Sequence, residues 1–155
     1  MHEAFLRRAI QLAVDNVEQG RGGPFGALIV RDGEVVAEGA NHVTTANDPT
    51  AHAEVVAIRQ ACLRLGTFEL KGCTIYASCE PCPMCLSAIY WARLDALYYA
   101  ASRHDASRAG FDDGLLYEQV PLPPEQRSLP TQHLPGSDSR RPFALWATNA
   151  RKIPY

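Results

Sequence analysis

The sequence predicts an α/β protein, a three-layer α/β/α sandwich built around a mixed central sheet. The chain of 155 residues has the length of one ordinary domain. Short runs rich in β-branched and aromatic residues are separated by segments with helical spacing of apolar residues, an arrangement that favours a sheet covered by helices on both faces. With 46% hydrophobic and 21% charged residues, the composition excludes a disordered chain. We therefore expect a single domain over residues 1–155.

The first half of the chain predicts a helix, a β-hairpin and a second helix. Apolar residues recur at helical spacing from the N-terminus to Gly20, which suits a left-handed helix cap. Residues 26–31 and 34–39 are β-rich and flank an Asp-Gly pair that favours a two-residue hairpin turn. Residues 53–65 place apolar side chains on one helical face. His52 would then lie at the N-terminal end of that second helix.

The second half predicts two further strands, a helix and a terminal segment. Residues 73–78 and 96–100 have strand composition, and residues 84–93 between them are helical in pattern. A proline-rich connector follows at residues 121–141, with five of the 11 prolines between positions 121 and 136. Residues 142–155 form a C-terminal segment that begins with a helical pattern.

Charge and hydropathy indicate the kind of partner. A net charge of −2 and a pI near 6.2 give no basis for binding a polyanion, so we expect a small-molecule substrate and no stable nucleic acid partner. No apolar run approaches bilayer length and the N-terminus lacks a signal-peptide core, which predicts a cytoplasmic protein without a membrane partner.

Two short patterns predict a metal site. Of the five cysteines, three lie at Cys79, Cys82 and Cys85, a spacing that in a reducing compartment indicates metal binding rather than disulfides. His52 and Glu54 form a His-x-Glu pair upstream, and together with Pro-Cys-x-x-Cys they match the pattern of zinc deaminases. His52, Cys82 and Cys85 would hold one Zn²⁺ per chain and leave the fourth position to water, whose pKa zinc lowers to about 7.

Glu54 is predicted to move the protons. A carboxylate is a poor additional ligand for a site rich in sulfur. Two residues from a zinc ligand, it could instead take a proton from water and deliver protons to a ring nitrogen and to the departing amine. Such a two-way role favours a raised pKa in a closed pocket.

Two non-enzymatic alternatives remain open at this point. Cys79 could complete a closed Cys3His structural zinc site, or the three clustered cysteines could hold an iron–sulfur cluster. Neither explains the His-x-Glu pair. The remaining cysteines and histidines are predicted to be core or surface residues rather than ligands: Cys62, Cys73, His2, His42, His104 and His133.

Further segments extend the pattern over nearly the whole chain: residues 22–27, 41–54, 78–85, 88–93, 109–113 and the terminal tyrosine. Together they resemble the bacterial guanine deaminases of the cytidine-deaminase fold. A Gly-Phe-Asp-Asp stretch, a Tyr-Trp pair and the terminal tyrosine carry the likeness to guanine enzymes. The resemblance implies a central sheet of about five strands and hydrolysis of guanine to xanthine and ammonia by a zinc-bound hydroxide.

The resemblance also implies a set of purine-binding residues. Asn41 and Asp113 would hydrogen-bond the base, Phe25 and Trp91 would line or stack on it, and Tyr155 would close the pocket. These types suit guanine, which exposes both donors and acceptors on its edges. Each also has an ordinary structural explanation, as a strand-end cap, a solvated turn or a core side chain.

The last implication concerns assembly. The resemblance implies a homodimer in which residues 142–155 cross onto the partner subunit and cover its active site. The connector at 121–141 is stiff and extended in composition, and the apolar residues beyond it need an apolar surface.

Other deaminases remain as rival functions. The tRNA adenosine deaminases share the zinc-binding patterns but need a basic surface for phosphates, whereas this chain is slightly acidic. Deamination of cytosine, cytidine or an aminotriazine also remains open.

Overall fold

The computed structural model describes all 155 residues and divides them into two compact units, Met1–Leu115 and Leu116–Tyr155. The regular elements of the first unit are α1 (His2–Glu18), β1 (Gly26–Arg31), β2 (Glu34–Ala40), α2 (Val43–Ala46), α3 (Ala53–Leu65), β3 (Cys73–Cys79), α4 (Pro83–Trp91), β4 (Ala96–Ala101) and α5 (Arg103–Arg108). Helix α6 (Gly114–Gln119) begins at the end of this unit. The second unit contains a short 3-10 turn (Pro124–Gln126) and helix α7 (Arg141–Thr148).

The four strands form one mixed sheet in the order β2-β1-β3-β4. Strand β1 runs antiparallel to β2 and β3, whereas β3 and β4 are parallel. The mixed sheet is confirmed, but the expected count of about five strands is wrong. After Ala101 the chain turns directly into α5, where the side chain of Ser102 and the carboxylate of Asp105 form a capping box that starts a helix instead of a strand.

Helices cover both faces of the sheet, which confirms the three-layer prediction. On one face α1 packs through Ala9 against Leu28, Val30 and Tyr76. On the other face a larger core contains Ile29, Ile75, Ala57 of α3 and Ile89 of α4. Strand β1 is therefore buried on both sides.

The hairpin and the helix ends set the position of the site. Asp32 and Gly33 have φ angles of 52° and 81°, the positive values expected for this hairpin turn. A side chain at Gly39 would lie 2.3 Å from the carbonyl oxygen of Ala53, so β2 and the start of α3 are in backbone contact. This close approach fixes the N-terminal end of α3 against the sheet.

Three local differences from the predicted elements have clear causes. Helix α4 ends at Trp91 because Arg93 has a φ of 59°, outside the helical region. Helices α2 and α6 are four and six residues long, too short for a recognisable apolar period.

None of the helices combines the length and hydropathy that crossing a lipid bilayer requires.

Candidate active site

Three side chains come together as a metal-binding group. The donor atoms of His52, Cys82 and Cys85 lie within 4.8 Å of one another. His52 Nδ1 is 3.6 Å from the Cys82 sulfur and 3.5 Å from the Cys85 sulfur. In a tetrahedral site with the usual Zn–N and Zn–S bond lengths, the nitrogen and sulfur ligands are about 3.6 Å apart. The group therefore fits zinc, and its mixture of imidazole and thiols suits that cation.

Helix starts place these ligands. His52 is the N-terminal cap of α3 and Cys82 is the cap of α4, each with extended backbone angles. Pro83 follows as the first residue of α4, a position where its missing N–H costs nothing. The positive ends of both helix dipoles then face the group and favour thiolate at Cys82 and Cys85.

Hydrogen bonds among the two thiols and the imidazole shift the pKa values of all three groups. A hydrogen bond from Cys85, assisted by His52, lowers the pKa of Cys82 to about 4. The same bond raises the pKa of Cys85, which therefore acts as the donor of the pair. The hydrogen bond with Cys82 also raises the pKa of His52. Binding of a cation would replace these shared protons, so metal affinity should increase with pH.

Cys79 is not part of the metal-binding group. Its sulfur faces the carbonyl oxygen of Ser102 at 3.5 Å. Burial raises the pKa of the Cys79 thiol to about 11, so the group stays protonated at neutral pH. This placement argues against both the closed Cys3His site and the three-cysteine cluster, and it leaves a group of three protein donors.

Glu54 lies buried beside the metal-binding group, in the first turn of α3. Only 6% of its surface is exposed. Burial raises the pKa of its carboxyl group, and a hydrogen bond with Cys85 partly opposes that shift. A carboxyl group with a raised pKa at this place can accept and return a proton near neutral pH.

The side-chain amide of Asn41 has a defined orientation, set by hydrogen bonds to its oxygen. It is buried at the end of β2, where its Oδ1 accepts hydrogen bonds from the backbone N–H of Gly23 at 3.4 Å and of Val43 at 3.3 Å. These contacts use Oδ1 and not Nδ2. The amide is therefore oriented with Nδ2 available to a ligand.

Phe25 and Asp113 belong to the same part of the first unit. The ring of Phe25 meets that of Phe111 edge to face, with centroids 5.0 Å apart. Partial burial raises the pKa of Asp113, and the charge of Cys82 adds to this shift. Asp112 instead caps the start of α6 through the backbone N–H of Gly114 at 2.9 Å. The charge of Asp113 therefore interacts with the metal-binding group through Cys82.

Trp91 and Tyr155 are placed differently from the other predicted residues. Trp91 ends α4 about 13.5 Å along the helix axis from the N-terminal cap at Cys82. The residue is 62% exposed, and the Arg93 guanidinium carbon lies 5.6 Å from the centroid of its ring. Tyr155 belongs to the second unit, where its ring packs edge-on against Trp146 at 6.5 Å. Their roles toward the substrate stay predictions.

Two polar residues connect segments around the site: the sequence left the role of Glu80 open, and it gave no prediction for Asn16. The Glu80 carboxylate accepts a hydrogen bond from the backbone N–H of Arg103 at 3.0 Å, and its own N–H donates to Ala101 O at 2.8 Å. These bonds join the turn before Cys82 to the start of α5. The second residue, Asn16, contacts the loop of Asn41. Neither contact has a local sequence signal, because 23 and 25 residues separate the partners.

A sheet between helical layers, with a His-Cys-Cys group at two helix starts and a buried glutamate beside it, defines a zinc-dependent deaminase. The chain belongs to the cytidine and deoxycytidylate deaminase family, whose zinc-binding region matches residues 1–101.

One relative in this family matches the chain over almost its full length. It is 54% identical to the guanine deaminase of Bacillus subtilis (strain 168) over 154 residues, 99% of each chain. The X-ray structure of guanine deaminase from Bacillus subtilis superposes with a TM-score of 0.98 at 54% identity, covering 100% of this chain and 99% of that one. The tRNA-specific adenosine deaminase of Aquifex aeolicus (strain VF5) is 42% identical over 99 residues, 64% of this chain and 65% of the relative.

Proposed function

We propose that this chain catalyses the hydrolytic deamination of guanine to xanthine and ammonia. The observation that carries the proposal is the grouping of His52, Cys82 and Cys85 around the buried carboxyl group of Glu54. The likeness to a guanine deaminase over almost the entire length supports guanine as the substrate. The tRNA adenosine deaminase, by contrast, is similar over only part of the chain.

His52, Cys82 and Cys85 would hold the zinc ion and leave room for one more ligand. When bound, zinc supplies a Lewis acid that makes water a nucleophile near neutral pH. Glu54 lies within the same buried group and carries the protons. It accepts one from the attacking water and delivers it to the ring nitrogen next to the amine-bearing carbon. The same carboxylate then takes the proton of the hydroxyl group added to that carbon and gives it to the amine, so that the carbonyl forms as the C–N bond breaks and ammonia leaves.

Asn41 and Asp113 would orient the base. The Nδ2 of Asn41 can donate to an acceptor on the purine, such as O6 or N7. The Asp113 carboxylate can accept from the ring N1–H that guanine carries. Adenine has an unprotonated N1 at that position, so the carboxylate would face an acceptor and reject it. Phe25 adds an aromatic surface beside the base.

The test is an ammonia assay on the purified zinc-loaded protein. The substrates are guanine, adenine, cytosine, guanosine, adenosine, cytidine and an RNA hairpin that contains an unpaired adenosine. Guanine should react, and the E54Q variant, purified and measured in parallel, should turn it over at least about 100-fold more slowly, which excludes a contaminating enzyme. Reaction of the hairpin with guanine left unchanged would instead establish an RNA adenosine deaminase.

We further propose a homodimer in which the segment 142–155 reaches the active site of the partner subunit. Helix α7 exposes the large apolar side chains of Phe143, Leu145 and Trp146, and exposed apolar patches of this kind are typical of surfaces that pack against another protein surface.

The five free cysteines suit a reducing compartment, and we propose that the enzyme acts in the cytoplasm.

A further inference from the structure

One buried amide ties α1 to the loops around Asn41. Asn16 is the last inward-facing residue of α1 and is 0% exposed. Its Nδ2 lies 2.9 Å from the carbonyl oxygen of Gly23 and 2.9 Å from that of Asn41. The amide nitrogen carries two hydrogens, so both bonds can form at once. A single side chain therefore holds the two segments that flank the Asn41 amide.

The main chain closes around the same residue. The backbone N–H of Arg21 donates to the Asn16 carbonyl oxygen at 2.9 Å. A side chain at Gly22 would lie 2.1 Å from the carbonyl oxygen of Asn41 and 3.1 Å from Asn16 Nδ2. The two loops thus meet over Asn16 with no room for a side chain between them.

Asn16 is a polar residue at a position where α1 otherwise buries small apolar side chains. The other buried residues of α1 are Ala9 and Ala13, so position 16 continues an apolar face. The Oδ1 atom of Asn16 is buried without a hydrogen-bond partner, which costs free energy. What the residue provides in return is the fixed placement of two carbonyl groups beside the Asn41 side chain.

We propose that Asn16 is a positioning residue for purine binding. It holds the carbonyl groups of Gly23 and Asn41 so that the Gly23 N–H meets Asn41 Oδ1, which leaves Asn41 Nδ2 aimed at the substrate. Asn16 itself does not touch the base. The inference rests on the proposed function, because it assigns the substrate contact to Asn41.

The test is a double-mutant cycle on the zinc-loaded full-length protein, with the variants N16A, N41A and the double variant. N16A should raise the KM for guanine about tenfold, the size expected when one hydrogen bond to a ligand is lost, with a smaller change in kcat. In the N41A background the same change should add less than about twofold, because the contact through which Asn16 acts is already gone. Zinc content should stay near one per chain in all variants.

The matched control is L12A, which removes packing of α1 near Leu28 and Tyr76 and touches neither carbonyl group. It should lower the thermal midpoint and leave KM unchanged. N16D, with similar shape but no amide donors, should reproduce the KM effect of N16A if the latter unfolds. Effects of N16A and N41A that multiply, or a KM equal to wild type, would overturn the proposal.

The two hypotheses fail in different ways. A wild-type protein that deaminates another base and leaves guanine unchanged would refute the proposed substrate only, and the cycle would then be measured on that base. A wild-type protein inactive on every base would refute both.

Discussion

Glu54 shows how a single position can be assigned from spacing and then explained by its surroundings. Its place two residues after His52 follows from the sequence, and the start of α3 turns it toward the metal-binding group. Burial of the carboxyl group, which raises its pKa, is a property of the fold. A glutamate with the same spacing on an exposed helix would have an ordinary pKa and a weaker role as a proton carrier.

Replacing Glu54 by glutamine should remove proton transfer while preserving the shape of the site. We expect kcat to fall by roughly 10²- to 10⁴-fold, the range for loss of a general acid–base group. The uncharged amide is easier to bury, so the thermal midpoint should not fall. Steady-state kinetics measure the first effect and thermal denaturation measures the second. A variant with near-normal kcat would show that another group moves the protons.

At the scale of elements, most of the fold could be predicted because its patterns are local. The Asp-Gly hairpin, the amphipathic α1 and α3 and the strands β3 and β4 all lie where the residue pattern places them. The expected fifth strand was wrong; no residue pattern had placed it, and after β4 the capping box at Ser102 starts a helix. That helix matters for the site, since its backbone contacts the turn before Cys82.

The capping box predicts a pH-dependent contribution to stability. Hydrogen bonds from Ser102 lower the pKa of Asp105 below its unfolded value near 4. A lowered folded pKa means that the stabilisation is present above about pH 4 and is lost as the pH falls through the folded value. D105A should therefore be less stable than wild type at pH 7 and should approach wild type near pH 3.

Urea unfolding of both proteins in the presence of a chelator measures this difference without a contribution from bound metal. S107A, an exposed change on the same helix, is the control and should match wild type at both pH values. An equal loss for D105A at pH 7 and pH 3 would show that the carboxylate charge is not what stabilises the cap.

At the scale of the whole molecule, two compact units differ in how much apolar surface they bury. The first unit has cores on both sides of the sheet. The second has no buried residue in α7 and exposes Phe143 and Trp146. An element of this kind gains stability by packing on another surface, as in a dimer with exchanged segments.

Removal of residues 142–155 tests the exchange directly. The truncated chain should retain one zinc and lose guanine deaminase activity, because the metal-binding group lies in the first unit and the proposed cover does not. Mixing the truncated chain with full-length E54Q, each inactive alone, should restore activity in mixed dimers. A fully active truncation would refute the covering role, and a mixture that stays inactive would refute the exchange between subunits.

The sequence by itself was enough to predict His52, Cys82 and Cys85 as the metal ligands and Glu54 as the proton carrier, because His-x-Glu and Cys-x-x-Cys are local patterns. Only the tertiary structure decided that Cys79 faces Ser102 rather than the metal-binding group. It also revealed the contacts of Asn16 and Glu80, since hydrogen bonds between residues far apart in the chain depend on how strands and helices pack. Spacing over a few residues therefore predicts which side chains can share a metal ion, whereas packing between distant segments determines which hydrogen-bond partner each polar side chain has.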